Sequence, residues 1–211
     1  MQVDRKTPRK IRRDFEWMSM ARTQTQTKEK ITQAAKTLLS LYGYQATTID
    51  DVINASGITK GAFYHYFKSK EALCQAVVEQ VDTEFKQLMA DIPPKFSSIE
   101  KLRYIISTLS KLNFSGQWVN CRLVIKLMTE PHDESPSLAA QLAEFRNWYR
   151  GSFGEIIEQC RKDSSISTRA NLTLQLDSVM AIMMGSTILN QMDAMTHSPN
   201  DFADQVLKLL K

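Results

Sequence analysis

Apolar positions recur at intervals of three and four along most of this 211-residue chain, the spacing of a buried helix face. Ile31, Ala34, Ala35, Leu38, Leu39 and Tyr42 predict a first helix over 27–42, ended by Gly43. Ile49, Val52 and Ile53 give the buried side of a short second helix. Thr48 caps it, with Asp51 at capping-box spacing, and Gly57 supplies the left-handed residue that ends it. Thr59 caps a third helix over 60–66, and Ser69 a fourth that runs to about 91 on Leu73, Val77, Val81, Phe85 and Leu88. Pro93 and Pro94 stop it. The same reasoning predicts helices over 97–113, 117–130, 137–162 and 170–194. A ninth starts at Ser198, Pro199 and Asp201, a cap followed by a first-turn proline. Strand-type alternation is missing throughout, so the expected fold class is all-α with about nine helices. It divides into an N-terminal three-helix helix-turn-helix domain and a C-terminal helical domain. The expected boundaries are a basic arm over 1–24, a helix-turn-helix domain over 25–75 and a second domain over 76–211.

The chain is organised around residues 47–70. Two short helices joined by a three- or four-residue turn containing Gly form a helix-turn-helix, whose second helix can enter the DNA major groove. The exposed side of that helix carries Lys60, Gly61, Tyr64 and His65: a cation, a bare backbone and two flat hydrogen-bonding rings. Phe63 and Phe67, four apart, share a face and belong to the core.

The segment TTIDDVINASGITKGAFYHYFKSKEAL resembles the DNA-binding signature of the TetR family of transcriptional regulators. The ordered, aromatic-rich string G-x-F-Y-x-Y-F-x-S-K-E-x-L carries the likeness, which covers about residues 28 to 75. Beyond it the chain agrees only in length and helical layout. The resemblance implies a homodimeric, ligand-responsive repressor, released from a near-palindromic operator by a small organic inducer, with residues 76–211 as the C-terminal helical ligand-binding and dimerisation domain. It implies groove or phosphate roles for Thr48, Thr59, Lys60, Gly61, Tyr64, His65, Tyr66 and Lys70. It also implies a four-helix seam between two copies, with Met184, Ile188, Phe202 and Leu209 among its apolar residues. The competing class is an architectural or constitutive DNA binder without an inducer.

Charge supports a polyanion partner. Residues 1–70 hold 13 Lys and Arg against 6 Asp and Glu, whereas residues 71–211 hold 14 against 17. A basic first third on a mildly acidic remainder is the pattern of a nucleic-acid-binding part. Residues 1–24, with Arg5, Lys6, Arg9, Lys10, Arg12 and Arg13 around Pro8, have little helical periodicity. They are expected to form a mobile arm able to reach phosphates or the minor groove. The three cysteines, Cys74, Cys121 and Cys160, are scattered and odd in number, which argues against a disulfide framework. With no leader and no apolar run of spanning length expected, a cytoplasmic protein is expected.

No phosphate-binding glycine loop, HExxH or G-x-S-x-G appears, so no enzyme, cofactor or metal site is expected. His132, Asp133 and Glu134 sit in a loop flanked by two prolines, where solvent exposure is the simplest reading. The second part is rich in aromatic and sulfur side chains. Tyr104, Phe114, Trp118, Cys121, Ile125, Met128, Phe145, Trp148, Tyr149 and Met183, on four helices around one cavity, would make a mainly apolar pocket. Arg103, Arg122, Lys126 and Arg146 are candidates to orient an anionic or electrophilic group. Trp118, Cys121, Val124, Ile125 and Met128 share one face of the sixth helix, with Arg122 and Lys126 one and five residues beyond the cysteine. Neighbouring cations can lower a thiol's pKa, although a free cysteine is usually just packed. NCRLVIKL resembles the G-C-L-x-x-K-L-type segment of the electrophile-sensing branch of the family. It departs from it by Asn120 for Gly and by one extra residue before Lys126.

Overall fold

In the computed structural model of the chain, the backbone is described for residues 9–211 except 117 and 194, and side chains from residue 25 with the same exceptions. The order is α1 (Arg9–Ala46), α2 (Ile49–Ser56), α3 (Lys60–Tyr66), α4 (Lys70–Ala90), α5 (Ser98–Phe114), α6 (Asn120–Thr129), α7 (Pro136–Lys162), α8 (Leu172–Met192) and α9 (Pro199–Lys208). No strand occurs among the described residues. The fold is all-α, as the periodicity implies.

Local signals set most helix ends. Thr48 Oγ1 accepts from the Asp51 N–H (3.1 Å), and the Asp51 carboxylate accepts from the Thr48 N–H (2.9 Å), closing a capping box. Gly57 stands in the left-handed region (φ 66°) and ends α2. Thr59, Ser69 and Ser198 each accept an N–H from the first turn of α3, α4 and α9. Two helix starts differ from expectation. Helix α1 begins at Arg9 rather than near 27, so its backbone takes in most of the expected arm. Residues 1–8, and the basic side chains up to residue 24, lie outside the described residues. Helix α6 starts at Asn120 rather than at 117, and the preceding Trp118 donates its indole N–H to Glu84 (3.2 Å). The expected ends at 117 and 194 lie outside the described residues.

Helices α1 to α4 pack around Phe63 and Phe67, both buried. Helix α4 continues into the second part on Val77, Val81 and Phe85, all buried. There α5, α7 and α8 pack together, α6 bridges α8 and α1, and α9 covers α5. Leu102, Ile105, Ile106, Leu123, Leu127 and Phe153, all within 2% of full burial, hold this core. Gly154 of α7 faces α8, where a Cβ would meet the Leu176 side chain at 3.6 Å. By length and composition, α8 is apolar enough to cross a bilayer, the one such helix among the described residues. It is instead a wall of the second core, on Leu176, Val179, Met180 and Met183. An unpaired stripe of Met184, Ile188, Leu189 and Met192 remains on its outer side.

Candidate DNA-binding surface and effector cavity

The helix-turn-helix is α2, the turn Gly57, Ile58 and Thr59, and α3. Buried Val52 and Phe63 set its two helices against α1 and α4. That packing leaves Lys60, Gly61, Tyr64 and His65 exposed on α3. Nothing lies within 4 Å of a Cβ built on Gly61, so close approach by another molecule is open there. Lys60 is loosely paired with Asp50 at 3.6 Å, both side chains well exposed. Tyr64 sits edge-on to Phe63, and His65 edge-on to Tyr66, which orients both rings. Tyr66 is half-buried against the core, and Thr48 and Thr59 spend their hydroxyls on helix caps. Lys70 differs from expectation. Its ammonium donates to the Tyr44 carbonyl (2.9 Å) and lies 4.2 Å from the centre of the Tyr44 ring. It tethers the start of α4 to the end of α1 and is only partly available to phosphate.

The second part holds an apolar cavity of about 30 Å³ between α4, α5, α6, α7 and α8. That is room for one or two waters. Of the ten residues expected at a pocket, Cys121, Ile125, Phe145, Tyr149 and Met183 line it. The other five lie elsewhere. Tyr104 faces the groove between α5 and α9, and Met128 a cleft between α6 and α7. Phe114 packs on His197 and Phe202, Trp118 on Phe85, and Trp148 lies under Lys86. Helical periodicity marks these five as buried or half-buried, which does not separate core from cavity. Eight lining residues were missed, among them Phe85, Ser110, Asn113, Met180, Met184 and Thr187. Buried polar residues on the apolar face of α5 were the available signal.

None of the four expected cations reaches the cavity. Arg103 makes a two-pronged pair with Asp204 (2.6 and 3.0 Å), Arg122 donates to Ser40 (2.9 Å), and Arg146 rims the outer cleft. Lys126 is not among the lining residues either. Charge is excluded because an unpaired ion in so dry a space is strongly disfavoured. Burial therefore acts alone on Cys121, pushing its thiol up to about 12. Cys74 is pushed up to about 12 and Cys160 is raised, in both cases chiefly by burial. Because the thiolate is the nucleophile, Cys121 should alkylate far more slowly at neutral pH in the folded protein than in denaturant. Its rate should climb with pH well beyond the range of a free thiol. N-ethylmaleimide labelling followed by peptide mapping checks this; labelling at the denatured rate near pH 7 would contradict it.

A polar junction forms where the end of α6 meets the end of α1. Gly43 (φ 82°, ψ −176°) breaks α1, and the Glu130 carboxylate at the end of α6 accepts from the Tyr44 N–H (2.7 Å) and the Gln45 N–H (3.1 Å). The side chain thus caps a helix fragment on the other part. Gln45 donates to the Pro131 carbonyl (3.1 Å), and the Tyr44 hydroxyl pairs with Ser135 Oγ (2.9 Å). His132, expected in solvent, lies edge-on to Tyr44 and bonds the Leu127 carbonyl (2.6 Å). Among the described residues no group of three or more His, Cys, Asp or Glu is placed to hold a metal.

Residues 31–77 match the model for bacterial regulatory proteins of the tetR family. The HTH-type transcriptional regulator YerO of Bacillus subtilis is 38% identical over 150 residues, which is 67% of this chain and 52% of YerO. The matched segments span 23% to 52% of the first curated relatives. A TetR-family regulator from Agrobacterium tumefaciens has the same fold, with TM-score 0.76, 16% identity and 89% and 99% of the two chains covered. So does AibR, solved with isovaleryl coenzyme A and operator DNA, with TM-score 0.71, 17% identity and 87% and 97% covered. The helix-turn-helix, its match to the family model and the likeness to YerO place the chain in one group: it belongs to the TetR family of transcriptional regulators.

Proposed function

We propose that the chain is a ligand-responsive repressor. It acts in the cytoplasm as a homodimer on a near-palindromic operator and leaves the DNA when a small organic molecule enters the second part. The junction at Glu130 is the observation that carries this reading. Helix α6 contributes Cys121, Val124 and Ile125 to the cavity, and its far end grips the backbone just before α2. Opening the cavity pushes on α6, and α6 is tied to the helix-turn-helix. A ligand that prefers the opened arrangement weakens DNA binding by its difference in affinity between the two arrangements.

A single seven-residue α3 offers few base contacts. Two copies reading half-sites about 34–36 Å apart double them. The exposed stripe of α8 and Leu209 near the end of α9 suit the seam. Phe202, expected there, is half-buried against Phe114 and His197. Ile188 is the better probe. Ile188→Glu should bury an unpaired charge at the seam, at a cost of several kcal/mol. It should give a monomer in sedimentation and lose operator binding; a dimeric variant would move the seam elsewhere.

The test of the whole reading is selection of bound fragments from a genomic pool, followed by release with candidate ligands. Binding that no ligand reverses favours the architectural reading. On the selected operator, Lys60→Ala should weaken binding and lower the salt slope by about one unit. Lys70→Ala should lower stability as well, since it also cuts the tether to Tyr44. An unchanged salt slope for Lys60→Ala would remove that residue from the interface.

A further inference from the structure

The cavity is apolar, but two of its lining groups are polar and unmatched. Ser110 and Asn113 lie three apart on α5, on one face, and are 1% and 9% exposed. Ser110 Oγ and Asn113 Nδ2 are buried without a hydrogen-bond partner. The contrast with Thr187 across the cavity is informative, because its hydroxyl donates to the Met183 carbonyl (3.1 Å). The Asn113 backbone is pinned, with its carbonyl accepting from Asn190 Nδ2 (3.1 Å) and the Gly116 N–H (3.2 Å). The carboxamide is therefore held at the cavity by a fixed main chain. Buried polar groups are nearly always satisfied, and one left unpaired calls for an explanation.

Resting on the reading of this space as the effector site, we infer that its ligand is neutral and largely apolar, with one carbonyl-type acceptor that takes the free N–H of Asn113 beside the Ser110 hydroxyl. No charged residue lines the space. Arg103 is paired with Asp204 and Lys36 with Glu84, while Arg122 donates to Ser40 and stands outside the lining. A carboxylate would enter without a counter-ion, and the phosphates of a coenzyme A ester would find none at the wall. Met180, Met183 and Met184 form one side. Their flexible, polarisable side chains can repack as a ligand several times larger than the resting cavity enters.

The test uses three near-isosteric probes, acetophenone, benzoate and ethylbenzene, titrated by calorimetry into the full chain. Acetophenone should bind at least about tenfold more tightly than benzoate. Asn113→Leu should weaken acetophenone up to about tenfold, the worth of one hydrogen bond, and leave ethylbenzene little changed. Ser110→Ala, which removes an unpaired buried hydroxyl and little volume, should raise the melting temperature of the unliganded protein. Acetophenone failing to bind, benzoate matching it, Asn113→Leu leaving its affinity unchanged, or Ser110→Ala lowering the melting temperature would each overturn the assignment. Operator release is scored alongside. Acetophenone that binds as expected without releasing operator overturns the effector reading and leaves the ligand assignment standing. Release by benzoate or isovaleryl coenzyme A alone keeps the effector reading and overturns the assignment.

Discussion

Glu84→Ala is expected to destabilise the chain by about 3 kcal/mol: it strands a buried lysine, but the carboxylate is itself 31% exposed, so the effect lies at the low end of that for a fully buried pair. The Lys36 side chain is 6% exposed, and its ammonium lies 2.8 Å from one Glu84 oxygen and 2.9 Å from the other. The same carboxylate accepts from Asn120 Nδ2 (2.7 Å), Gln80 Nε2 (2.8 Å) and the Trp118 indole N–H (3.2 Å). One side chain on α4 therefore satisfies groups on α1, on α6 and on the segment before α6. Truncation strands the buried Lys36 cation without its carboxylate partner. For a chain of this length the melting temperature should fall by roughly 6–12 °C. Glu84→Gln keeps the shape but not the charge, and should fall between wild type and Ala. Acid titration gives a second readout. Burial acts to raise the Glu84 pKa, but the hydrogen bonds from Lys36 and Asn120 outweigh it, so the net shift is downward from 4.5. Its stabilisation is thus complete above about that pH and is lost as pH falls through the lowered value. The variants should show a shallower loss of stability on the acid side. A melting temperature within about 3 °C of wild type would mean that Lys36 is not held by this carboxylate.

Much of the first part was legible because its determinants are local. Thr48 with Asp51, Gly57, Thr59 and Ser69 act within four residues of themselves, so their spacing is enough to place α2, α3 and α4. The family signature adds the outward face of α3 without any tertiary information. Legibility fades where a side chain serves a distant backbone. Glu130 and Tyr44 are 86 residues apart, and neither has a sequence feature that marks the other. Lys70 looks like a phosphate ligand in the motif, yet the carbonyl that occupies it lies 26 residues back. The cavity was half legible. Phe145, Tyr149 and Met183 follow from counting aromatic and sulfur side chains, but so do Trp148 and Phe114, which pack elsewhere. Ser110 and Asn113 were passed over because polar residues on an apolar face read as interruptions of the core. Their unpaired atoms become visible only once the neighbouring helices are in place.

The second large effect is expected at the junction. Gly43→Ala should lower operator affinity by more than about tenfold while leaving helix content nearly unchanged. Two causes act together. The backbone at φ 82°, ψ −176° is open almost only to glycine, and forcing another residue into it costs about 1–3 kcal/mol. A Cβ there would also lie 1.5 Å from Glu130 Oε1, so the carboxylate must withdraw. Withdrawal leaves the Tyr44 and Gln45 N–H groups without their acceptor. Tyr44 also carries the tether from Lys70 and the bond to Ser135, so its movement disturbs the starts of both α4 and α7. Thr47 bonds the Gly43 carbonyl (2.7 Å), and the α2 cap follows at once, so displacement reaches the helix-turn-helix within a few residues. Glu130→Ala removes the same acceptor without the strain or the collision and should show a smaller loss. The double variant separates the causes. With the Glu130 side chain gone, the added methyl has nothing to strike, and only the backbone strain remains from Gly43→Ala. The combined loss should therefore fall clearly short of the sum of the single losses, as expected for residues in direct contact. Quantitative operator binding on the four proteins measures that coupling. Strict additivity would mean that the methyl and the carboxylate never compete for the same space, and that Gly43 acts through its backbone alone.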